Sequence, residues 1–474
     1  MKPSAQPTHD VSANQFSANQ FSANARPARI FVDATYTLCS GKSSGIERVV
    51  RSIIRESTQC KLGFSPQVVI SQDGRFYPIS DRQVAQLAKP AGMQSNVRSK
   101  LPFVYQMLAK AICKVIPSRN LRKWILPEAG HLGVFKVPHT LYEKFSRKMV
   151  VRSSKPIEPT DGDLFLMPDA YWPRRGVWTA VDDARAKGAM IATVLYDLIP
   201  ITHPEFVGLK RKEGFLQYLH NVATKSDLIV AISETVRNQV VEFLPTICGD
   251  QPYCTDVRSF ELGAELSSSK GHVRTAVQEL FSPQLEKTPY LMVATFDPRK
   301  NHRYLVSAFD LLWKQRPDLK LCLVGRVGWL CEELLIDLEK HPRRNKDLFV
   351  FHDLSDAELQ YCYSSSRGVI FPSIVEGFGL PIVEALWHGQ KTFASDTAIH
   401  REVGRNDCSY FDLASPQSLV DSILDWESQR DHSKPQLPTR QPIAWSESNQ
   451  QLFHQCLDAY LSRNAAQPKQ RRAA

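Results

Sequence analysis

Two glutamates flank a glycine-containing turn in the stretch SIVEGFGLPIVEALWHG, residues 373–389. We expect Glu376 to precede the turn and Glu384 to lie one turn inside the helix that follows. That helix is predicted to run from Pro381 to His388 and to end at Gly389, which suits a left-handed cap. Backbone N–H groups at the start of such a helix bind anions, whereas carboxylates repel them, so the two glutamates are better suited to accept hydrogen bonds from hydroxyl groups. A diphosphate with a sugar on each side, as in a nucleotide sugar, matches this arrangement.

A pair of cations lies in a second motif, VATFDPRKNHRYLVSAF, residues 293–309. A strand is expected to end near Thr295, and Pro298 then turns the chain. Arg299 and Lys300 follow directly, and such cations can stabilise a departing diphosphate without a metal ion. An Arg-Lys pair in a loop is more often solvated surface, but a place at the carboxyl end of a parallel strand favours the functional interpretation.

Strand and helix patterns alternate along the chain in two series, and this alternation predicts parallel sheets covered by helices. The strands expected in the first series are Arg29–Thr35, Val68–Ser71, Asp163–Met167, Met190–Tyr196 and Asp227–Ile232. Those expected in the second series are Tyr290–Thr295, Lys320–Gly325, Leu348–Phe351, Gly368–Phe371 and Thr392–Ser395. Ser355 and Glu358 predict a capping box on one of the intervening helices. The predicted fold is α/β with two Rossmann-like domains, whose ligand should lie between the facing carboxyl ends of the two sheets.

Local composition predicts the boundaries of domains, a linker and two tails along the chain. Residues 1–25 contain a repeated polar SANQF segment that is too poor in apolar groups to fold, and we interpret them as a disordered tail. The other predicted parts are a first domain (26–265), a linker (266–288), a second domain (289–440), a helix returning to the first domain (441–463) and a tail (464–474). No signal peptide and no membrane-spanning stretch are expected, and ten scattered cysteines without a CxxC pair are typical of a reducing compartment.

The net charge of +10 is concentrated in residues 97–155, which hold thirteen Lys or Arg against two Glu. Apolar residues within this stretch fall at helical spacing and predict a basic amphipathic helix. Two interpretations stay open, a solvated helix face and a surface that docks on anionic lipid. No RNA-binding or zinc-finger signature accompanies the charge, so nucleic acid is not an expected partner.

Three segments carry a resemblance to a known family. These are ATFDPRKN, FVFHDLSDAELQYCYSSSRGVIFPSIVEGFGLPIVEALWHG and PIAWSESNQQLFHQCLDAY, and they resemble the retaining glycosyltransferases of family 4, which have the GT-B fold. The resemblance covers residues 28–462 and implies that Glu376 contacts donor-sugar hydroxyls and that Glu384 binds the ribose. It also implies that Arg299 and Lys300 bind the diphosphate. The other donor-binding residues that we expect are Ser373, Phe378, Gly379, Leu380, His352 near the nucleobase and Gly45 in the glycine loop of the first domain.

In the first domain, YDLIPITHPEF (196–206) brings Asp197 and His203 to the end of a strand where the family has functional residues. We expect both at the catalytic site, and a capping aspartate with a surface histidine is the alternative. A P-loop is not expected, because Tyr36 occupies the place of its first glycine. The DGD motif at 161–163 mimics the metal-binding motif of the other large glycosyltransferase fold. Here it precedes its strand instead of ending it, so its carboxylates lie at the edge of the sheet away from the cleft. We therefore expect no metal, and no other cofactor is expected.

The function that the resemblance implies is transfer of a hexose from a nucleotide sugar, with GDP-mannose as the expected donor. The expected acceptor is a lipid-linked or growing surface polysaccharide or lipopolysaccharide, reached in the cytoplasm at the inner face of the plasma membrane. Two other classes of function stay open at this point. One is a nucleotide-sugar epimerase or phosphorylase on the same fold, and the other is a non-catalytic protein that senses nucleotide sugars.

Overall fold

The computed structural model describes residues 26–40, 45–59, 65–88, 151, 154–169, 176–207, 209–266, 271–282, 288–429 and 438–466. The predicted tail 1–25, nearly all of the basic stretch 97–155 and residues 467–474 of the second predicted tail lie outside these ranges. The described strands form two sheets, one of seven strands and one of six.

The first sheet has the strand order β3-β2-β1-β4-β5-β6-β7. Its strands are β1 Arg29–Asp33, β2 Gln67–Gln72, β3 Arg75–Pro78, β4 Asp163–Met167, β5 Met190–Leu195, β6 Leu228–Ala231 and β7 Val257–Ser259. All neighbours are parallel except β2 and β3, which form an antiparallel hairpin. Its two-residue turn, Asp73 (φ 50°) and Gly74 (φ 76°), has the left-handed backbone that Asp-Gly favours.

The second sheet is parallel throughout, in the order β10-β9-β8-β11-β12-β13. Its strands are β8 Tyr290–Val293, β9 Leu321–Val324, β10 Leu348–Phe351, β11 Gly368–Phe371, β12 Thr392–Ser395 and β13 Cys408–Phe411. The central strands β9, β11 and β12 are buried along their whole length. Burial on both faces is the consequence of helices packing on each side of a parallel sheet.

The described helices cover these sheets. They are α1 Thr35–Ser40, α2 Gly45–Gln59, α3 Asp81–Ala88, α4 Val177–Ala186, α5 Ile199–Thr202, α6 Leu209–Lys225, α7 Glu234–Cys248, α8 Thr275–Leu280, α9 His302–Gln315, α10 Glu332–Glu339, α11 Asp356–Ser365, α12 Leu380–Trp387, α13 Ala398–Gly404, α14 Pro416–Gln429 and α15 Trp445–Ala466. The capping box predicted at Ser355 and Glu358 is present at the start of α11. Among the described helices, none is both long and apolar enough to cross a bilayer.

Ten strands were expected from the sequence, and all ten are present with ends shifted by two residues at most. The predicted α/β fold with two Rossmann-like domains is confirmed. Three short strands at or near sheet edges were missed, namely β3, β7 and β13. Each has partly exposed residues, so the run of apolar side chains that marks a buried strand is weak there. The Asp-Gly turn before β3 was the available signal.

The returning helix α15 packs on the first domain. Leu452 and Phe453 of α15 are fully buried in the same core cluster as Val49 and Ile53 of α2. The Asn449 side chain donates to the carbonyl oxygen of Ser52 at 3.3 Å. The expected linker 266–288 contains the helix α8, whose apolar residues pack in the second domain.

Candidate functional site

The loops after β8 and β11 lie side by side at the carboxyl edge of the second sheet. After β8 the chain makes a 3₁₀ turn at Pro298–Lys300, and Asn301 (φ 59°) then leads into α9. Asparagine adopts this left-handed conformation more readily than most residues. The backbone N–H of Ile374, in the loop after β11, donates to the carbonyl oxygen of Arg299 at 2.8 Å. This bond joins the two sequence motifs in one site.

Arg299, Lys300 and Glu376 form a buried ion-pair cluster in that site. Arg299 Nη1 lies 2.9 Å from Glu376 Oε2, and Lys300 Nζ pairs with the other oxygen, Oε1. Burial favours the neutral form of Glu376, but Lys300 and Arg299 outweigh this effect and lower the pKa of Glu376 to about 2. Burial lowers the pKa of Lys300 even though Glu376 opposes the shift. Glu376 is therefore ionised at neutral pH and holds both cations.

Asp197 brings the first domain to this cluster from the end of β5. Burial raises the pKa of Asp197, and the positive charge of Arg299 partly offsets that effect. Asp197 Oδ1 also accepts a hydrogen bond from the N–H of Ile199 at 3.1 Å, at the start of α5. A Cβ atom on Gly377 would clash with the carbonyl oxygen of Tyr196, so the glycine turn rests directly on the end of β5. Asp197 thus accepts a backbone hydrogen bond at the start of α5 and also feels the charges of the cluster.

The glycine turn has the backbone geometry that an anion site requires. Gly379 has φ 104°, and α12 begins at Leu380 with Pro381 as its second residue, one residue earlier than predicted. Gly389 ends the helix with φ 66°, as predicted. The Phe378 side chain is buried in the core of the first domain. Because the first backbone N–H groups of a helix have no helical acceptor, the start of α12 offers donors to an anion.

Glu384 has two protein partners that were not anticipated. Its Oε1 pairs with Nη1 of Arg48, on α2 of the first domain, and its Oε2 accepts a hydrogen bond from the Tyr363 hydroxyl at 2.7 Å. The Glu384 side chain is 3% exposed. Arg48 lies far from Glu384 in the sequence. The pair forms only when the two domains dock, so patterns of neighbouring residues could not predict it.

The two predicted histidines differ in where their contacts lie. His352 follows β10, with Nδ1 2.9 Å from the carbonyl oxygen of Gly325 and its ring edge-on to Phe296 at 4.9 Å. It therefore lies at the carboxyl edge of the second sheet, where the nucleobase is expected. His203 stacks on Phe206 with ring centroids 6.0 Å apart. The contacts that the structure describes for His203 stay within its own segment and do not reach the ion-pair cluster.

Two further predicted residues, Ser373 and Gly45, lie in the loop after β11 and at the start of α2. Ser373 is fully buried, and its carbonyl oxygen accepts a hydrogen bond from Ser395 Oγ at 2.5 Å. Gly45 is exposed and opens α2, and no described atom lies within 4 Å of the position that its Cβ would take. The preceding residues 41–44 of the glycine loop lie outside the described ranges.

Two buried residues beside the cluster were not singled out from the sequence. Asp297 Oδ1 lies 3.4 Å from Arg299 Nε, and burial raises the pKa of Asp297 although Arg299 opposes the shift. His302 stacks on Phe296 with ring centroids 4.3 Å apart, and burial lowers its pKa to about 3. The His302 ring is therefore neutral at physiological pH. Both residues lie in the motif at 293–309 that contains Arg299 and Lys300, and this position could have marked them as candidates.

The two domains are also joined beside the site by hydrogen bonds. Ser233 Oγ donates to the carbonyl oxygen of Gly377 at 2.9 Å. The Glu402 carboxylate, on α13 of the second domain, accepts from the backbone N–H groups of Glu234 and Thr235 at 2.7 and 2.8 Å. These two residues begin α7 of the first domain, so Glu402 caps a helix across the domain boundary. The two domains are therefore held against each other at the Gly377 turn.

The second domain is similar to a known protein family. Residues 278–438 match the family model of glycosyl transferases group 1. The second domain is therefore similar to this family over most of its length. The crystal structure of Anabaena Alr3699/HepE in complex with UDP-glucose superposes with a TM-score of 0.51 at 14% identity, over 92% of this chain and 98% of that one. This likeness shows the fold, which is GT-B as the resemblance implied.

Curated proteins that are similar to this chain include mannosyltransferases. The serotype-specific mannosyltransferase WbdA of Escherichia coli is 31% identical over 274 residues, 56% of this chain and 32% of the relative. The O-antigen chain mannosyltransferase B of Escherichia coli is 28% identical over 218 residues, 44% of this chain and 54% of the relative. The match thus spans about a third of the length of the first relative and about half of the second.

Proposed function

We propose that this chain is a retaining glycosyltransferase of family 4 that moves a hexose from a nucleoside-diphosphate sugar to an acceptor hydroxyl. The observation that carries the proposal is the convergence of Arg299, Lys300 and Glu376 of the second domain with Asp197 of the first. The site thereby combines cations, carboxylates that can accept hydrogen bonds from sugar hydroxyls, and a helix N-terminus. It lies at the facing carboxyl ends of two parallel sheets, where such folds bind nucleotides. The similarity to O-antigen mannosyltransferases supports mannose, with GDP-mannose as the donor.

The cluster supports a mechanism based on positioning and electrostatics. Arg299 and Lys300 stabilise the negative charge of the diphosphate as it leaves, and no metal ion is required for that purpose. Glu376 accepts hydrogen bonds from the hexose hydroxyls and favours the positive charge that develops at the anomeric carbon. An oxygen of the leaving diphosphate takes the proton of the acceptor hydroxyl on the same face of the sugar. Configuration is retained because entry and departure share that face.

The acceptor that we propose is a lipid-linked or growing surface polysaccharide or lipopolysaccharide, in line with the names of the curated relatives. The enzyme would meet it in the cytoplasm at the inner face of the plasma membrane. The basic stretch 97–155 would hold the protein there through anionic lipid. Sedimentation with anionic and with neutral vesicles at low salt tests this part, since equal pelleting with both would contradict electrostatic docking.

The decisive experiment combines donor binding with product analysis. Thermal shift against a panel of UDP- and GDP-hexoses finds the donor, because a ligand of the folded state raises its stability. Incubation of that donor with and without a glycan acceptor then gives the product, and NMR gives its anomeric configuration. Sugar on the acceptor in the donor's configuration supports the proposal. An epimerised sugar or a sugar phosphate would instead indicate the epimerase or phosphorylase, and binding without any turnover a sensor.

A further inference from the structure

The ion pair between Arg48 and Glu384 crosses the cleft from one domain to the other. Arg48 lies on α2 and donates from Nη1 to Glu384 Oε1 on α12. The hydroxyl of Tyr363 donates to Glu384 Oε2. The Glu384 carboxylate therefore holds the Arg48 guanidinium in one orientation.

The other arm of the same guanidinium is unsatisfied. Arg48 Nη2 is buried from solvent and has no hydrogen-bond acceptor among the residues that the structure describes. A buried donor without an acceptor costs about 1–3 kcal/mol, so native structures rarely leave one without a purpose. Arg48 therefore offers a fixed donor, without a described acceptor, at the place where the two domains meet.

The positions of Arg48 and Glu384 on their helices indicate the charge of that acceptor. Arg48 is three residues after Gly45, where α2 begins, and Glu384 is four residues after Leu380, where α12 begins. Helical side chains lean toward the N-terminus of their own helix, so the pair marks a place where two helix N-termini converge. Helix N-termini favour anions, and the planar guanidinium matches the geometry of a phosphate.

We propose that Arg48 binds a phosphate oxygen of the nucleotide from the first domain, through Nη2, while Glu384 positions it through Nη1. The proposal rests on the proposed function and deepens it, since it adds a third cation to Arg299 and Lys300. A nucleoside diphosphate is then held by cations from both domains. Full binding of the donor consequently requires the two domains to be in contact, because only then can Arg48 reach the phosphate.

Isothermal titration with GDP, UDP and the nucleosides guanosine and uridine tests the assignment. The variants are Arg48→Ala, Arg48→Lys and, as a matched control, Arg55→Ala. Arg55 lies on the same helix and pairs with Glu56 at 2.9 Å. Arg48→Ala should weaken diphosphate binding by about 10- to 100-fold, the range for a hydrogen bond to a charged group, and leave nucleoside binding unchanged. Arg48→Lys should lose less, and Arg55→Ala should lose nothing.

Several results would overturn this inference, and they differ from those that overturn the proposed function. If Arg48→Ala and Arg48→Lys bind the diphosphates as the wild type does while their melting temperatures fall, Arg48 is only a clamp between domains. An equal loss for nucleosides and diphosphates would place the contact away from the phosphates. A wild type that binds neither GDP nor UDP would instead remove the proposed function, and this inference with it.

Discussion

The two sheet edges that meet at the cleft are built in different ways. On the second sheet, Arg299, Lys300 and Glu376 come from two loops that follow neighbouring strands, β8 and β11. On the first sheet, Asp197 follows β5 while Arg48 lies on α2, a different part of the chain. The second edge is a compact site made by local motifs, and the first is assembled from separate segments. The second edge can therefore be located from sequence, whereas the residues of the first edge are brought together only in the folded chain.

The largest expected effect separates chemistry from stability at the second edge. Glu376→Gln keeps the size of the side chain but removes the charge that holds Arg299 and Lys300. We expect turnover to fall by about 10²–10³-fold, as for loss of one preorganised polar contact. Leaving two cations buried without their partner should also lower the free energy of unfolding by about 3 kcal/mol. Steady-state kinetics below the melting temperature and urea denaturation measure the two effects.

Glu427→Gln is the matched control for that experiment. Glu427 is 3% exposed and pairs with Arg367 and the Tyr290 hydroxyl, beside the amino ends of β8 and β11. This variant should lose stability for the same physical reason and keep its turnover number. A comparable loss of turnover in Glu427→Gln would mean that Glu376 acts through the fold rather than at the site.

The second effect concerns the leaving group. Arg299→Gln should weaken binding of the nucleoside diphosphate product by about 10- to 100-fold and slow transfer, because a charge-assisted contact is lost. A chelator should leave the wild type active. Arg303→Gln is the control, since Arg303 lies one helical turn further along the same motif and pairs with Asp337 on the surface at 2.6 Å. Loss of activity with chelator, restored by manganese, would contradict the metal-free mechanism.

Local and long-range features of this molecule differ in how far they could be predicted. Apolar runs located β4, β10, β11 and β12 to the residue, and turn chemistry predicted the left-handed Gly389. These signals are local, because the apolar pattern of a strand and the backbone conformation of a glycine are set by residues adjacent in the sequence. The pair of Arg48 with Glu384 depends on how two domains dock, and no spacing in the chain encodes that. Glu384 could thus be singled out from the sequence while its partner Arg48 could not.

The third prediction tests the contact between domains without touching the cluster. Glu402→Gln should weaken the cap on α7 and cost about 1 kcal/mol of stability, the usual value of a cap and its helix-dipole interaction. Thr397→Ala removes a cap of similar strength inside the second domain, where Thr397 accepts from the N–H of His400 at 3.3 Å. Only Glu402→Gln should accelerate hydrogen exchange at the amides of Glu234 and Thr235. Equal protection of these amides in both variants would show that Glu402 does not hold the domains together.

The last expected effect is a difference in sign between carboxylates of the two edges. The pKa of Glu376 falls from its ordinary value of 4.5 to about 2, so its ionised form stabilises the fold above pH 4.5 and this stabilisation is lost as the pH falls toward 2. Burial raises the pKa of Asp197 above its ordinary 3.8, so Asp197 favours the fold most below that pH and loses this contribution as the pH rises.

Replacing each carboxylate by its amide separates the two cases. At pH 7, Glu376→Gln should be less stable than the wild type, and Asp197→Asn should be as stable or more stable. Asparagine can still accept the hydrogen bond from the Ile199 N–H, so this contact at the start of α5 is retained. Urea denaturation at pH 7, 4 and 3 measures the free energies of unfolding, and both differences from the wild type should shrink as the pH falls. If Asp197→Asn were destabilised at pH 7 as strongly as Glu376→Gln, Asp197 would belong to the ion-pair cluster as a full partner, and the two edges would be energetically alike.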